Sequence, residues 1–206
     1  MFTPSTSVAA RLLMLLFLLW GGAASAQLGG KSVVVTERTR AELLAHAPEG
    51  LEPGKPVWVG LQLAHQPKWH SYWKNSGDSG LPTKLEWKLP AGVLAGEIAW
   101  PTPGKYSIGT LINFGYENTV LLPVPLTITP EFKPSALGGT LEVKLKAQWL
   151  VCRELCIPEE GEFSLAVSAK SATALHGGVF QASFAAQPKP LMGQATATID
   201  GNALRP

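Results

Sequence analysis

Cys152 and Cys156 are the only cysteines in this 206-residue chain and its strongest candidates for chemistry. A bond between cysteines four positions apart closes a ring of about five residues, which the chain-entropy model values at roughly 2 kcal/mol of stability. Such a bond holds little of a fold together, but it can open and close without disturbing a core. The spacing favours a redox-active dithiol. A structural disulfide, and a Cu(I) site in which His65 or His70 joins the sulfurs, stay open as alternatives.

A second dense segment, Trp69–Asn75, carries three aromatic residues and one histidine and leads into a glycine-rich stretch. In a strand, alternation places Trp69 and Trp73 on one face and His70 and Tyr72 on the other. The aromatic rings could simply pack in the core. Alternatively, some of them line the dithiol or form a docking surface.

The N-terminal residues have the pattern of an export signal. Arg11 precedes the apolar run Leu12–Trp20, and small residues at Ala24–Ala26 suit signal peptidase. The run is shorter than the roughly 20 apolar residues that a membrane span needs. We therefore predict a signal peptide over residues 1–26, cleavage before Gln27 and a mature protein in the periplasm, where disulfides form.

Charge and length exclude other classes of function. A formal net charge of +2 supplies no strong basic field for nucleic acid. Residues 27–170 can bury a single core of useful size, so the protein does not need a disulfide merely to fold. This weakens the purely structural interpretation of the cysteines.

Short strands separated by Gly, Pro and Asn dominate the pattern between residues 27 and 170. One face of Leu141–Ala147 is apolar and the other is charged, as in a sheet with one wet side. The fold class predicted is all-β, an immunoglobulin-like antiparallel β-sandwich. Pro158 is expected to end the ladder of a hairpin that carries both sulfurs to one end of the sandwich. Strands are predicted over Lys31–Glu37, Val57–Leu63, Leu85–Leu89, Val120–Thr129, Thr140–Leu150 and Glu162–Ser168.

Residues 171–206 differ in composition and are predicted to be a linker followed by the start of a further segment. Thr196–Ile199 is strand-like, and a strand needs partners for its backbone hydrogen bonds. Either this tail packs on the sandwich or the chain is part of a longer protein, and we favour the second. His46 and His176 are interpreted as ordinary surface histidines.

Several motifs occur in a specific order along the chain. They are Trp69–Asn75 with Gly77–Pro82, Phe114–Glu117, Leu122–Val124, and Val151–Cys152 with Cys156–Pro158. Together they are similar to the periplasmic N-terminal domain of the thiol:disulfide interchange protein DsbD, and most of all to its ScsB-like branch, associated with suppression of copper sensitivity. The resemblance extends from about Val33 to Ala169.

The resemblance implies a protein-disulfide reductase module without a cofactor. Such a module relays reducing equivalents from a thioredoxin-like domain, itself supplied through a membrane domain, to periplasmic thiol–disulfide proteins. By the family pattern, Cys156 forms the intermolecular bond and Cys152 resolves it. The rival function is a non-catalytic immunoglobulin-like module that binds an envelope protein or handles copper and carries a structural disulfide.

The resemblance also implies residues around the sulfurs. Tyr72 corresponds to a family tyrosine that lines the site, and His70 lies beside it. Three residues separate the cysteines here, against five in the best-known domains, and Glu154 among them is expected to tune the thiol pKa values. A flexible cap loop that shields the pair corresponds to Asn113, Phe114, Gly115 and Tyr116.

Overall fold

The computed structural model describes residues 31–136, 139–189, 198–200 and 203–205, the last two ranges as backbone only. The predicted signal peptide and its cleavage before Gln27 lie outside these residues. Within the described ranges up to residue 168 there are eleven strands. In chain order they are β1 Val33–Val35, β2 Thr39–His46, β3 Val57–His65, β4 His70–Gly77, β5 Lys84–Lys88, β6 Val93–Ala95, β7 Gly104–Ile108, β8 Leu111–Glu117, β9 Thr119–Ile128, β10 Thr140–Cys152 and β11 Cys156–Ser168.

The strands form two antiparallel sheets, and the predicted all-β sandwich is confirmed. One sheet has the order β1-β2-β3-β9-β6, and the other has the order β11-β10-β4-β8-β7. In the second sheet β10 has two successive neighbours on one side, because β5 pairs with Lys144–Gln148 whereas β4 pairs with Cys152. Because β4 pairs with Cys152, the end of β10 brings the cysteines next to β4 and, beyond it, to β8 and β7. The core lies between the two sheets.

The long β10–β11 hairpin follows directly from alternation in the sequence. Leu141, Val143, Leu145, Ala147 and Trp149 are buried in the core, and the polar residues between them face outward. The two strands stay in register over their whole length, with Cys152 opposite Cys156 as the last pair. The hairpin thus delivers both cysteines to one end of the sandwich, as the sequence predicts.

Pro158 does not end the ladder, contrary to the prediction. It lies within β11 opposite Leu150, and the strand continues back to Cys156. Because β11 is the edge strand of its sheet, one side of its backbone has no neighbouring strand, and a missing N–H group is tolerated there.

Residues 171–189 pack on the sandwich, which differs from the predicted linker. Thr173 bridges to Ala47, and the helix α1 (Gly177–Ala185) covers the outer face of the first sheet. Phe180 of α1 is fully buried against Leu44 and Leu121. The apolar residues of the tail thus find partners in the sheet; where the domain boundary lies stays a prediction.

His46 is not an ordinary surface histidine, because α1 covers it. Its ring stacks on Phe180 at 5.4 Å and is only 8% exposed. Farther along the tail, Thr198–Asp200 (β12) pairs with Ala203–Arg205 (β13) in a small hairpin. Within the described residues, no helix is both long and apolar enough to span a membrane.

Candidate redox site

The two sulfurs form a disulfide at the tip of the β10–β11 hairpin. The S–S distance is 2.01 Å and the Cα atoms are 4.1 Å apart. Cys152 is fully buried, whereas Cys156 is exposed. An incoming thiolate can therefore reach Cys156 and not Cys152.

The phenol of Tyr72 lies beside the accessible sulfur. Its hydroxyl oxygen is 3.5 Å from Cys156 Sγ, and the ring is buried. Burial raises the pKa of Tyr72, and a hydrogen bond with Ser79 opposes this only in part. The hydroxyl therefore keeps its proton and can donate it in a hydrogen bond to the sulfur.

His70 lies on the same sheet face, next to the buried sulfur. It is the β4 partner of Cys152, and its ring stacks on Tyr106 at 5.1 Å and meets Tyr72 edge-on at 5.3 Å. Burial lowers the pKa of His70, with Glu117 acting in the opposite direction. The imidazole is consequently neutral and surrounded by aromatic rings.

The glycine-rich loop after β4 covers the ring of Tyr72. Gly80 approaches it so closely that a Cβ atom built on this residue would lie 2.3 Å from the ring. Asn113 anchors the loop, because its Oδ1 accepts hydrogen bonds from the backbone N–H (2.9 Å) and hydroxyl (3.0 Å) of Ser79. The loop holds the tyrosine against Cys156.

Comparison with known proteins agrees with this fold. The family model of the N-terminal region of the thiol:disulfide interchange protein DsbD matches residues 40–168, a range that includes the disulfide. The chain belongs to this family. The crystal structure of the N-terminal periplasmic domain of ScsB from Proteus mirabilis has a similar fold, with a TM-score of 0.61 and 15% identity over 85% of this chain and 67% of that one. No curated protein matches in sequence.

The cap loop that the DsbD family pattern implies is not a loop in this chain. Residues 113–116 lie inside β8, which pairs with β4 on one side and β7 on the other. Alternation places Phe114 on the same face as Tyr116, whose ring packs in the core, and opposite to the face of Tyr72. Asn113 and Gly115 do share the face of the dithiol. The segment is a strand because its backbone groups are paired on both sides.

Tyr106, in β7, belongs to the site, but the sequence alone did not identify it. It lies opposite Asn113, stacks on His70, and its hydroxyl accepts a hydrogen bond from the backbone N–H of Glu117 (3.1 Å). No DsbD motif identified in the sequence contains it. The only local signal is an aromatic residue in a short alternating segment. Nothing in that segment indicates its distance from the cysteines, because β7 is brought near them by the order of strands in the sheet.

Two arginine side chains lie over Trp69, and one of them, Arg153, belongs to the turn that joins the cysteines. The guanidinium groups of Arg153 and Arg38 lie 5.5 and 5.1 Å from the ring centroid of Trp69, within cation–π range. Trp69 and Trp73 pack against the core, which confirms their predicted common face. Glu154 is exposed in the turn, and among the described contacts it forms no hydrogen bond or ion pair, so its tuning role stays a prediction.

In this structure His65 and His70 contact groups other than the sulfurs. Across the described ranges, no three His, Cys, Asp or Glu residues are grouped as metal ligands. His65 instead donates from Nδ1 to the Asn118 carbonyl oxygen at 3.0 Å. Burial lowers its pKa to about 4.

A groove of about 470 Å³, with both apolar and charged lining residues, lies near the end of the hairpin that carries the disulfide. Its lining includes Leu81, Pro82, and the pair Leu150 and Pro158, which is two pairs away from the cysteine pair. Leu81 is 61% exposed, and Leu155, in the turn between the cysteines, is 73% exposed.

Proposed function

We propose that this chain is a periplasmic thiol–disulfide exchange module. It passes reducing equivalents from a thioredoxin-like domain or protein to thiol–disulfide proteins of the envelope through Cys152 and Cys156. The observation that carries the proposal is the unequal burial of the two cysteines, since Cys152 is fully buried and Cys156 is exposed. Membership in the DsbD family supports it.

Reduction of the module begins at Cys156. A donor thiolate attacks Cys156 Sγ, forms a mixed disulfide and releases Cys152 as a thiolate. The second donor thiolate then attacks its own partner sulfur in the mixed disulfide, and Cys156 leaves with the electron pair. Two electrons enter the module, and the donor becomes a disulfide.

Delivery follows the same path in reverse. The Cys156 thiolate attacks an acceptor disulfide and displaces one acceptor thiolate. Cys152 then attacks Cys156 Sγ, which closes the intramolecular disulfide and releases the second acceptor thiolate. Tyr72 stabilises Cys156 whenever it is a thiolate, because its hydroxyl lies at 3.5 Å from that sulfur.

The exposed leucines and the groove give a partner a place to dock around Cys156. Leu155 and Leu81 supply apolar contact area, and the groove between Leu81 and Pro158 accommodates chain that flanks the partner's cysteine. The predicted signal peptide, cleaved before Gln27, carries the module to the periplasm, and a membrane domain in the full-length protein supplies its donor.

Trapping tests the proposal. Cys152→Ser keeps the accessible thiol but lacks the sulfur that would resolve a mixed disulfide. It should therefore accumulate a mixed disulfide with an oxidised thioredoxin-like protein. Cys156→Ser is the matched control, because only the buried sulfur remains. Mass spectrometry of non-reduced adducts should find the bond at Cys156. Equal yields from both variants, or no adduct from either, would contradict the proposal.

The reduction potential separates exchange from the rival structural role. Equilibration with a glutathione buffer should place the couple in the range of thioredoxin-like proteins, at about −120 to −270 mV. A value below about −300 mV would indicate a structural bond, and the non-catalytic binding module would then be the better description.

A further inference from the structure

A thiol, an imidazole and a carboxylate lie in one row across three neighbouring strands. His70 in β4 is directly opposite Cys152 in β10 and directly opposite Glu117 in β8. Residues directly opposite in antiparallel strands share a face, with Cβ atoms about 4.5–5.5 Å apart. The row is formed by backbone register alone, and it starts at the sulfur that no partner can reach.

The middle residue of the row has an unused functional group. His70 is only 3% exposed, and its Nε2 atom is buried without a hydrogen-bond partner. An unpaired buried polar nitrogen costs free energy, roughly 1–3 kcal/mol. While the sulfurs are bonded, Cys152 has no proton to share. When they are reduced, Cys152 carries a thiol on the residue directly opposite His70.

We propose that His70 is the acid–base catalyst of Cys152, and that Glu117 is a positioning residue that stabilises the protonated imidazole. The inference rests on the proposed exchange function and assigns a step within it. Cys152 is fully buried, so solvent cannot take its proton directly. Glu117, at the far end of the row, is only partly buried and provides the contact with solvent.

The step is the resolution of the mixed disulfide. Neutral His70 takes the proton from the Cys152 thiol, and the resulting thiolate attacks Cys156 Sγ. The Cys152–Cys156 bond forms, the bond from Cys156 to the partner breaks, and the partner sulfur leaves with the electron pair. His70 then releases its proton to that thiolate or to water. In the opposite direction the same imidazole protonates Cys152 as it is released.

The groups around His70 determine whether its imidazole is neutral or protonated. Glu117 is the anionic group among the residues that pack on or pair with His70, and it favours the protonated imidazole, whereas burial disfavours it. Tyr72 is neutral because burial raises its pKa, and His65 is neutral because its pKa is about 4. Tyr106 supplies a stacked ring. The thiolate formed at Cys152 adds a second negative charge that favours the imidazolium.

A two-phase reaction with dithiobis(nitrobenzoate) measures this step by itself. In the reduced protein, Cys156 displaces the first coloured thiolate in a bimolecular reaction, and Cys152 displaces the second in a unimolecular one. His70→Phe keeps an aromatic ring in the stack and removes the base. Its first phase should match the parent. Its second phase should be slower by about tenfold or more at neutral pH, since general bases contribute at least that much.

The pH profile distinguishes a lost base from a misplaced cysteine. In His70→Phe the buried thiol ionises unaided, so the deficit should shrink as pH rises past the thiol pKa. Glu117→Gln changes a less buried position and should slow the second phase by a smaller factor. His46→Phe is the matched control, because His46 is also buried on an aromatic ring but lies in the other sheet, and both its phases should match the parent.

An equal second phase in His70→Phe and the parent would overturn the inference, as would a deficit of constant size at every pH. The outcome is separable from that of the proposed function. If Cys152→Ser traps no partner protein while the second phase still depends on His70, the relay fails and the acid–base role stands. If trapping succeeds and the rate of the second phase does not depend on His70, the relay stands and the acid–base role fails.

Discussion

Tyr72 and Cys156 show how one side chain sets the chemistry of another. Hydrogen bonds to charged groups contribute about 1.5–3 kcal/mol, and one pKa unit corresponds to about 1.4 kcal/mol. In the exchange that we propose, the hydroxyl of Tyr72, 3.5 Å from the sulfur, stabilises the thiolate more than the thiol. On that proposal, a larger fraction of Cys156 is thiolate near neutral pH.

We expect Tyr72→Phe to raise the pKa of the Cys156 thiol, because the thiolate loses a donor. The measurement is the rate of alkylation by iodoacetamide against pH, in a reduced Cys152→Ser background. Tyr106→Phe is the control, since the Tyr106 hydroxyl contacts the Glu117 backbone and not the sulfur. A shared shift in both variants would contradict a specific role for Tyr72.

His65 should make the fold sensitive to acid. Burial holds its pKa at about 4 in the folded protein, against 6.5 for an ordinary histidine. Between these pH values the unfolded chain binds a proton that the folded chain does not, so stability present above pH 6.5 falls as pH decreases towards 4. Urea unfolding at several pH values should show a weaker dependence in His65→Gln. An unchanged slope would exclude His65 as its source.

At the scale of elements, the loop after β4 depends on one glycine. Gly80 has a φ of +88°, and any Cβ at this position would clash with the Tyr72 ring. Gly54 has a similar φ of +82°, but a Cβ there would contact nothing. Comparing alanine substitutions at these two glycines separates the cost of backbone strain from the cost of the clash with Tyr72.

We expect Gly54→Ala to cost about 1 kcal/mol, from the left-handed backbone alone. Gly80→Ala should cost about 1–3 kcal/mol more, because Tyr72 must move. Chemical denaturation gives both values, and alkylation of Cys156 reports the movement of Tyr72. Equal costs and unchanged alkylation would mean that the loop does not hold the ring in place.

Elements with a strict polar and apolar alternation could be predicted from the sequence. The β10–β11 hairpin, and with it the pairing of Cys152 and Cys156 at one end, follows from that pattern. β8 could not be predicted, because its residues do not alternate clearly and it pairs with β4, which is distant in sequence. For this reason residues 113–116 are a strand and not the expected cap. β7 does alternate, but it has only five residues and pairs with β8, so Tyr106 was missed together with β8.

At the scale of the whole molecule, the helix of the tail covers the outer face of the first sheet. The ring of Phe180 fills the space above Leu44 and Leu121, and the hydroxyl of Ser183 donates to the Leu121 carbonyl oxygen at 3.1 Å. Composition suggested a linker, because the apolar residues of α1 show no strong periodicity by themselves. Their partners lie in β2 and β9, which local patterns cannot reveal.

We expect Phe180→Ala to lower the free energy of unfolding by about 3–5 kcal/mol, the usual cost of removing a buried phenyl ring. Leu175→Ala, at a residue 90% exposed in the same tail, should change it by less than about 0.5 kcal/mol. Thermal or urea unfolding measures both. Two equally small effects would show that the tail does not stabilise the sandwich.

The single accessible sulfur has a kinetic consequence for any relay. Donor and acceptor must both react at Cys156, so the two proteins cannot occupy the module together, and one has to depart before the other arrives. Steady-state turnover should therefore follow a ping-pong pattern, with parallel double-reciprocal lines. An excess of either partner would inhibit by competition for the same position, and the ratio of the two in the envelope would limit the flow of electrons.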